Sequence, residues 1–256
     1  MKLVHIITTG TSIIRNLAND EFLEPELRAK FKAWAFAKPG SSEDIEAGNA
    51  ASYGKIEFRR AYERLLVDPR RFSAELNGMW DYLMRNKVNI AYLISTDSGA
   101  CEFCAKILQK YLTEQKRVEA IVHRVTDLGR DFEIGLFNLV DYLVKLIKEH
   151  KSKGDSIFIN ATGGFKPETA ILYVIASLLG ANAIYYIHET MKRRVDLPTL
   201  PILLQKSALE TLVYLDCLST NEVPKILLDE FIKRGFIEVI GTKIRVRKWI
   251  KALTEI

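Results

Sequence analysis

Five short, nearly continuous apolar runs recur over the first 190 residues, at 2–8, 90–95, 118–123, 156–160 and 183–188. Each is rich in β-branched or aromatic residues and lacks polar alternation, as strands buried on both faces should. Segments of helical period follow three of them, at 100–115, 131–150 and 168–179. Alternating strand and helix predict an α/β fold built on a doubly wound, mainly parallel sheet.

Between 20 and 88 the period is helical throughout. Helices are predicted over 22–37, 55–67 and 71–86, with breaks at Pro39-Gly40 and Asp68-Pro69. This is a helical insertion after the first strand, or a helix pair covering the sheet. Its stretch 40–54, rich in Gly, Ser, Asn and Ala, reads as a mobile loop. Pro198 and Pro201 punctuate a linker. Beyond it come a helix over 203–215, a second over 222–233 capped by Ser219-Thr-Asn221 and ended by Gly235, and strands at 236–240 and 243–247 about Gly241-Thr242. A last helix runs from Lys248. Helix, helix and hairpin form a winged-helix pattern, so two domains are expected, 1–195 and 203–256.

A chain of 256 residues, 48% hydrophobic and 27% charged, can bury a substantial core. No apolar run reaches the roughly 18 residues of a membrane span. The opening Met1-Lys-Leu-Val-His-Ile-Ile is a strand running into a glycine turn, not a signal peptide, and the expected location is the cytoplasm. A net charge of +5 favours an anionic partner only mildly. Cys101 and Cys104 have metal-like spacing but no second Cys or His pair, and Cys217 stands alone, so they read as core thiols. The four histidines are isolated. No metal and no cofactor is expected.

Candidate chemistry gathers in turns after the strands, on the rim where open parallel sheets bind ligands. One is Thr8-Thr9-Gly10-Thr11-Ser12. Another is Asn160-Ala-Thr162-Gly163-Gly164-Phe165-Lys166, opening a helix at Pro167. Glycines let a backbone approach a ligand closely, a helix start offers free N–H groups, and Lys166 adds a full charge. Ser95-Thr96-Asp97-Ser98-Gly99 and Asp127-Leu-Gly-Arg130-Asp131-Phe132 complete the rim. Asp97 is read as a ribose ligand or as the cap of the next helix. These groups suit ribose and phosphate. The Gly-x-Gly-x-x-Gly fingerprint and the Walker lysine loop are both absent, which argues against a nicotinamide enzyme and an ATPase.

The strand followed by Asn-Ala-Thr-Gly-Gly-Phe-Lys-Pro-Glu, paired with an N-terminal strand and Gly-Thr-Ser, resembles the CRISPR-associated Rossmann-fold (CARF) proteins. It is most similar to the archaeal ring nucleases with a C-terminal winged helix. The resemblance spans the whole chain. It implies a homodimer whose two CARF domains share one pocket for a cyclic oligoadenylate. Ring nucleases of this group cut cyclic tetra-adenylate into linear di-adenylates ending in a 2′,3′-cyclic phosphate, which switches off type III CRISPR signalling. Matching motifs puts Ser12 and Lys166 at the catalytic positions. Thr9, Gly10, Thr11, Thr96, Asp97, Ser98, Arg130, Phe132, Asn160, Thr162, Gly163, Gly164 and Phe165 become the ligand-binding set.

The chemistry needs no metal. A ribose 2′-OH held in line can attack its own 3′ phosphate, so positioning is most of the catalysis. Lys166 and the helix-start amides would stabilise phosphoryl charge, and Ser12 would hold either the 2′-OH or a non-bridging oxygen. No general base is evident in the sequence. The alternative is a sensor that only binds the ring, with the winged helix reading DNA through Lys243, Arg245, Arg247 and Lys248. Against that reading, residues 203–256 carry nine Lys and Arg to seven Asp and Glu. Arg117-x5-His123 has the spacing of a messenger-activated ribonuclease motif but falls on a predicted strand, and is read as chance.

Overall fold

The computed structural model describes residues 1–188, 191 and 193–254, with Phe132 described by its backbone only. The apolar run at the start forms β1 (Leu3–Thr9), buried from Val4 onward. Six helices follow: α1 (Ser12–Leu17), α2 (Pro25–Ala35), α3 (Ser42–Ala50), α4 (Ile56–Val67), α5 (Pro69–Phe72) and α6 (Ala74–Met84). Then strand and helix alternate through β2 (Ile90–Ser95), α7 (Gly99–Lys116), β3 (Glu119–Arg124), α8 (Phe132–Ser152), β4 (Ser156–Asn160), α9 (Lys166–Leu178) and β5 (Ala183–Ile187).

A sixth strand, β6 (Arg194–Leu197), was not expected. It is short and polar on one face, and it pairs antiparallel with β5 at the sheet edge. The order is β3-β2-β1-β4-β5-β6, with the first five strands parallel. The chain reverses direction of winding between β1 and β4, so the rim above those two strands is the switch point. The fold is therefore the expected α/β, Rossmann-like arrangement.

Two apolar layers flank the sheet. Ile7, Ala91 and Leu93 face a layer from α1 to α7, centred on Phe31, Trp34, Phe58 and Phe103. Ile6, Ile94, Ile157 and Ile159 face the other layer, from α8 and α9. Each Ile, Leu or Phe among them, fully removed from water, contributes about 1.5–3 kcal/mol. His5 is also buried. Its Nε2 lies 3.0 Å from the Lys87 carbonyl, which can only accept, so Nε2 carries the proton and Nδ1 accepts from the Tyr185 hydroxyl at 2.8 Å. Burial lowers the pKa of this imidazole to about 4.

The segment 40–54 is not a loop. The Ser41 side chain caps α3 by accepting the Asp44 N–H, and the buried Asp44 carboxylate accepts from Gly40 N and, at 3.0 Å, from Ala100 N at the start of α7. An added Cβ on Gly99 would stand 2.0 Å from the Asp44 carbonyl, so the two helices touch backbone to backbone. Small residues that suggest a loop are here a packing requirement.

After β6 come α10 (Lys206–Tyr214), a 3-10 turn at Thr220–Glu222, α11 (Lys225–Lys233), β7 (Ile237–Ile240), β8 (Lys243–Val246) and α12 (Lys248–Thr254). The predicted helix at 222–233 thus begins three residues later, because Ser219 and Glu222 form a capping box on the 3-10 turn and Pro224 restarts the chain. Ile237, Ile244, Val246, Ile250 and Leu253 join the apolar layer of α8 and α9. Trp249 N–H donates to Asp141 Oδ1 at 2.8 Å, and the Arg247 guanidinium lies over the Phe137 ring. Among the described residues no helix is long and apolar enough to cross a membrane.

Candidate functional site

β1 and β4 lie side by side in register, Ile7 opposite Asn160, so the turns that leave them meet. Contact is close enough to dictate glycine. A Cβ on Gly163 would sit 2.4 Å from the Thr8 carbonyl, 2.7 Å from Gly10 N and 2.9 Å from Glu75 Oε1. Thr8 Oγ1 donates to the Gly163 carbonyl at 2.7 Å, tying one turn to the other. Gly164 has φ of +88°, a conformation that favours glycine, and a Cβ there would meet Glu168 Oε2.

Helix α9 opens at Lys166, with Pro167 in its second position rather than its first. The Lys166 side chain is exposed and makes no hydrogen bond or ion pair among the described residues. It lines an open cleft of about 670 Å³ with Thr162, Gly164, Thr169, Tyr173, Tyr186 and Ile187. A second cleft of about 530 Å³, lined by Asn16, Asp68, Arg70, Arg71, Ala74 and Asn77, also reaches Ile187. Both volumes are typical of small-ligand clefts, ~300–1,000 Å³.

Glu168 is 3% exposed and stands under the Gly164 turn. Burial raises its carboxyl pKa to about 7, opposed by the hydrogen bond it accepts from the Phe165 backbone. Oε1 has no partner.

Ser12 is the first residue of α1 and half-buried. Its Oγ donates to Glu75 Oε2 at 2.7 Å and accepts the Ala74 N–H at 3.2 Å. Glu75 is 1% exposed, and no reading of the sequence marked it. Its Oε1 accepts the Gly10 N–H at 2.9 Å, and its Oε2 also accepts from Ser73 Oγ at 2.8 Å. One buried carboxylate therefore holds the whole Gly10–Ser12 turn.

Other predicted site residues divide into scaffold and rim. Asn160 is fully buried. Its Nδ2 donates to the Glu75 carbonyl at 2.9 Å, and its Oδ1 accepts from Thr162 N at 3.2 Å and Thr162 Oγ1 at 2.5 Å. Thr162 Oγ1 in turn accepts the Ile187 N–H. Both side chains are thus spent on joining β4, β5 and α6. Thr9 is buried, and its Oγ1 has no hydrogen-bond partner among the described residues. Thr11 precedes α1 without a side-chain cap bond.

Asp97 does not cap the next helix. Ser98 does, accepting the Cys101 N–H at 3.1 Å, while Thr96 and Ser98 share a hydrogen bond at 3.2 Å. The Asp97 carboxylate is occupied by Arg124 Nε at 2.8 Å and Asp127 N at 3.1 Å. Arg130 Nε donates to the Asp97 carbonyl at 2.8 Å, and its guanidinium is exposed on the rim. Phe165 lies near Gly129, whose added Cβ would sit 3.5 Å from the ring, so the third and fourth turns adjoin the glycine–lysine turn. The side chain of Phe132 lies outside the described residues.

Cys101 and Cys104 are free and buried, and burial pushes the Cys101 thiol up to about 12, so neither resembles a reactive thiolate. Among the described residues no group of three or more His, Cys, Asp or Glu is placed to hold a metal.

A family model described as CRISPR-associated protein (Cas_APE2256) matches residues 70–200, just over half of the chain. The matched segment contains Ser73 and Glu75, the turn after β2 and the whole glycine–lysine turn, and it stops short of Ser12. On that extent of match, the chain belongs to the CRISPR-associated protein (Cas_APE2256) family.

Proposed function

We propose that this protein is a metal-independent ring nuclease. It would bind a cyclic oligoadenylate, taken here as cyclic tetra-adenylate, and cut it to linear di-adenylates with 2′,3′-cyclic phosphate ends, ending type III CRISPR signalling. The observation that carries the reading is the junction of two turns at the switch point. On one side stand Gly163, Gly164 and an exposed Lys166 that has no ion pair among the described residues; on the other stands Ser12, held by Glu75. Family membership is consistent with it.

In this reading the attacking 2′-OH is supplied by the ring itself, so the protein's task is alignment and charge stabilisation. Lys166 and the backbone at the start of α9 meet the charge that grows on the phosphoryl oxygens. Arg70 and Arg71, in the adjoining cleft, extend the positive rim for the neighbouring phosphates. A homodimer doubles this set and matches a ring with repeated phosphates. Residues 203–256 are proposed to form a winged-helix module. Exposed Ile226, Leu227 and Ile232 on α11 suit contact with a second copy better than a DNA groove. The wing cations are already engaged: Arg247 and Arg245 lie 3.4 and 3.9 Å from Glu238, and Lys243 donates to the Cys217 carbonyl. No observation favours the DNA-reading alternative.

The test is incubation with labelled cyclic tetra-adenylate in EDTA. Linear di-adenylate with a cyclic phosphate end is expected. An intact ring after prolonged incubation at excess protein overturns the proposal.

A further inference from the structure

Ser12 has one hydroxyl proton, and it is committed. Its Oγ gives that proton to Glu75 Oε2 and takes one hydrogen bond from Ala74 N–H. A hydroxyl oxygen accepts through two lone pairs, so one accepting direction is left. A non-bridging phosphoryl oxygen, which only accepts, finds no donor there. A ribose 2′-OH, which donates, does. Glu75 is the reason: it is buried, and Gly10 N–H, Ser12 Oγ and Ser73 Oγ all converge on its two oxygens.

We infer that Glu75 is the positioning carboxylate of this site, fixing Ser12 as an acceptor for the attacking 2′-OH and taking up the reaction's proton through it. The inference rests on the ring-nuclease reading and supplies the base that the sequence does not show. As the 2′-oxygen bonds to phosphorus, its proton passes to Ser12 Oγ, and the proton of Ser12 passes to Glu75 Oε2. The bond from phosphorus to the 5′-oxygen breaks, and that oxygen takes a proton from water. Glu75 then returns its proton to solvent. The products are a 2′,3′-cyclic phosphate and a 5′-hydroxyl. No metal, redox partner or hydrolytic water enters the balance.

The test is a double-mutant cycle on ring cleavage with Glu75→Gln and Ser12→Ala. Glutamine keeps the shape and can still accept the Gly10 N–H, but its amide NH2 turns the Ser12 proton outward and accepts none. In the parent protein, Glu75→Gln should slow cleavage by about a hundredfold or more, the scale of general-base loss, with ring Kd within about threefold. In the Ser12→Ala background the same change should cost less than about threefold, because the path through Ser12 is already gone. Equal losses in both backgrounds would mean that Glu75 only braces the turn, and would overturn the inference. Should Glu75→Gln not fold, the parent protein still decides. Its cleavage rate against deuterium fraction should curve, as two protons move together, and a straight line refutes the relay. A parent protein that leaves the ring intact overturns the ring-nuclease reading itself, whereas an active parent with additive losses overturns only the role of Glu75.

Discussion

Replacing Glu168 by glutamine should change how stability depends on pH, and the structure sets both sign and size. Glu168 stands in the first turn of α9, 3% exposed, accepting one backbone hydrogen bond from Phe165 and leaving Oε1 without a partner. Burial raises its pKa from 4.5 to about 7. Between those values the folded chain keeps a proton that the unfolded chain has released. The stability this contributes is full below pH 4.5, declines as pH rises, and is lost beyond pH 7. At about 1.4 kcal/mol per tenfold change, the swing is roughly 3 kcal/mol.

His5 acts in the opposite sense. Burial lowers its pKa from 6.5 to about 4, so its contribution is full above 6.5 and is lost as pH falls toward 4. From 4.5 to 6.5 the two slopes oppose each other, so the parent profile should be shallower than Glu168 alone would make it. Glu168→Gln removes one of them. Urea unfolding at stepped pH should therefore show the variant gaining on the parent by roughly 3 kcal/mol between pH 4.5 and 8, at constant m-value. Parallel profiles for parent and variant would refute the assignment of the proton to Glu168.

Lys166→Ala should slow ring cleavage by about a hundred- to a thousandfold, as loss of a charge-stabilising donor does. Because Lys166 is exposed and unpaired among the described residues, the variant's unfolding free energy should stay within about 0.5 kcal/mol of the parent. Gly163→Ala should do the reverse in stability. Its methyl has no room beside the Thr8 carbonyl and Gly10 N, so urea unfolding should show a loss of about 1–3 kcal/mol, with activity falling as the two turns separate.

The central sheet was readable because strands buried on both faces leave continuous apolar runs, and all five predicted strand runs lie within one residue of the observed bounds at both ends. β6 was not, because Arg194-Val-Asp-Leu197 owes its extension to pairing with β5 and to the stacking of Arg194 on Tyr82, neither of which is local. α3 was hidden by composition: Gly48 and Asn49 lower helix propensity, yet the missing side chain of Gly48 lets α3 reach α7 at Gly99. Lys166 and the two glycines were legible from a contiguous motif. Glu75 was not. An acidic residue in the first turn of a helix normally reads as a solvated partner of the helix dipole, and its partners Gly10 and Ser12 lie 65 and 63 residues earlier. The available signal was Ser73 two residues before it, an N-cap that fixes where the helix begins and so which way Glu75 points.

The two buried carboxylates explain why the site needs both turns. Glu75 lies beneath the turn after β1 with three donors converging on it, and is arranged to accept. Glu168 lies beneath the turn after β4 with a single donor, and holds its proton up to about pH 7. The first gives Ser12 its direction; the second supports the backbone from which Lys166 extends. The two turns meet at Gly163, whose missing side chain leaves room for Gly10 N–H and Glu75 Oε1 at once, while Glu168 lies against Gly164. An ionised Glu168 would add negative charge to the mouth where phosphates are proposed to bind. Below about pH 7 the raised pKa keeps that charge small, which leaves more of the Lys166 charge for the proposed ligand.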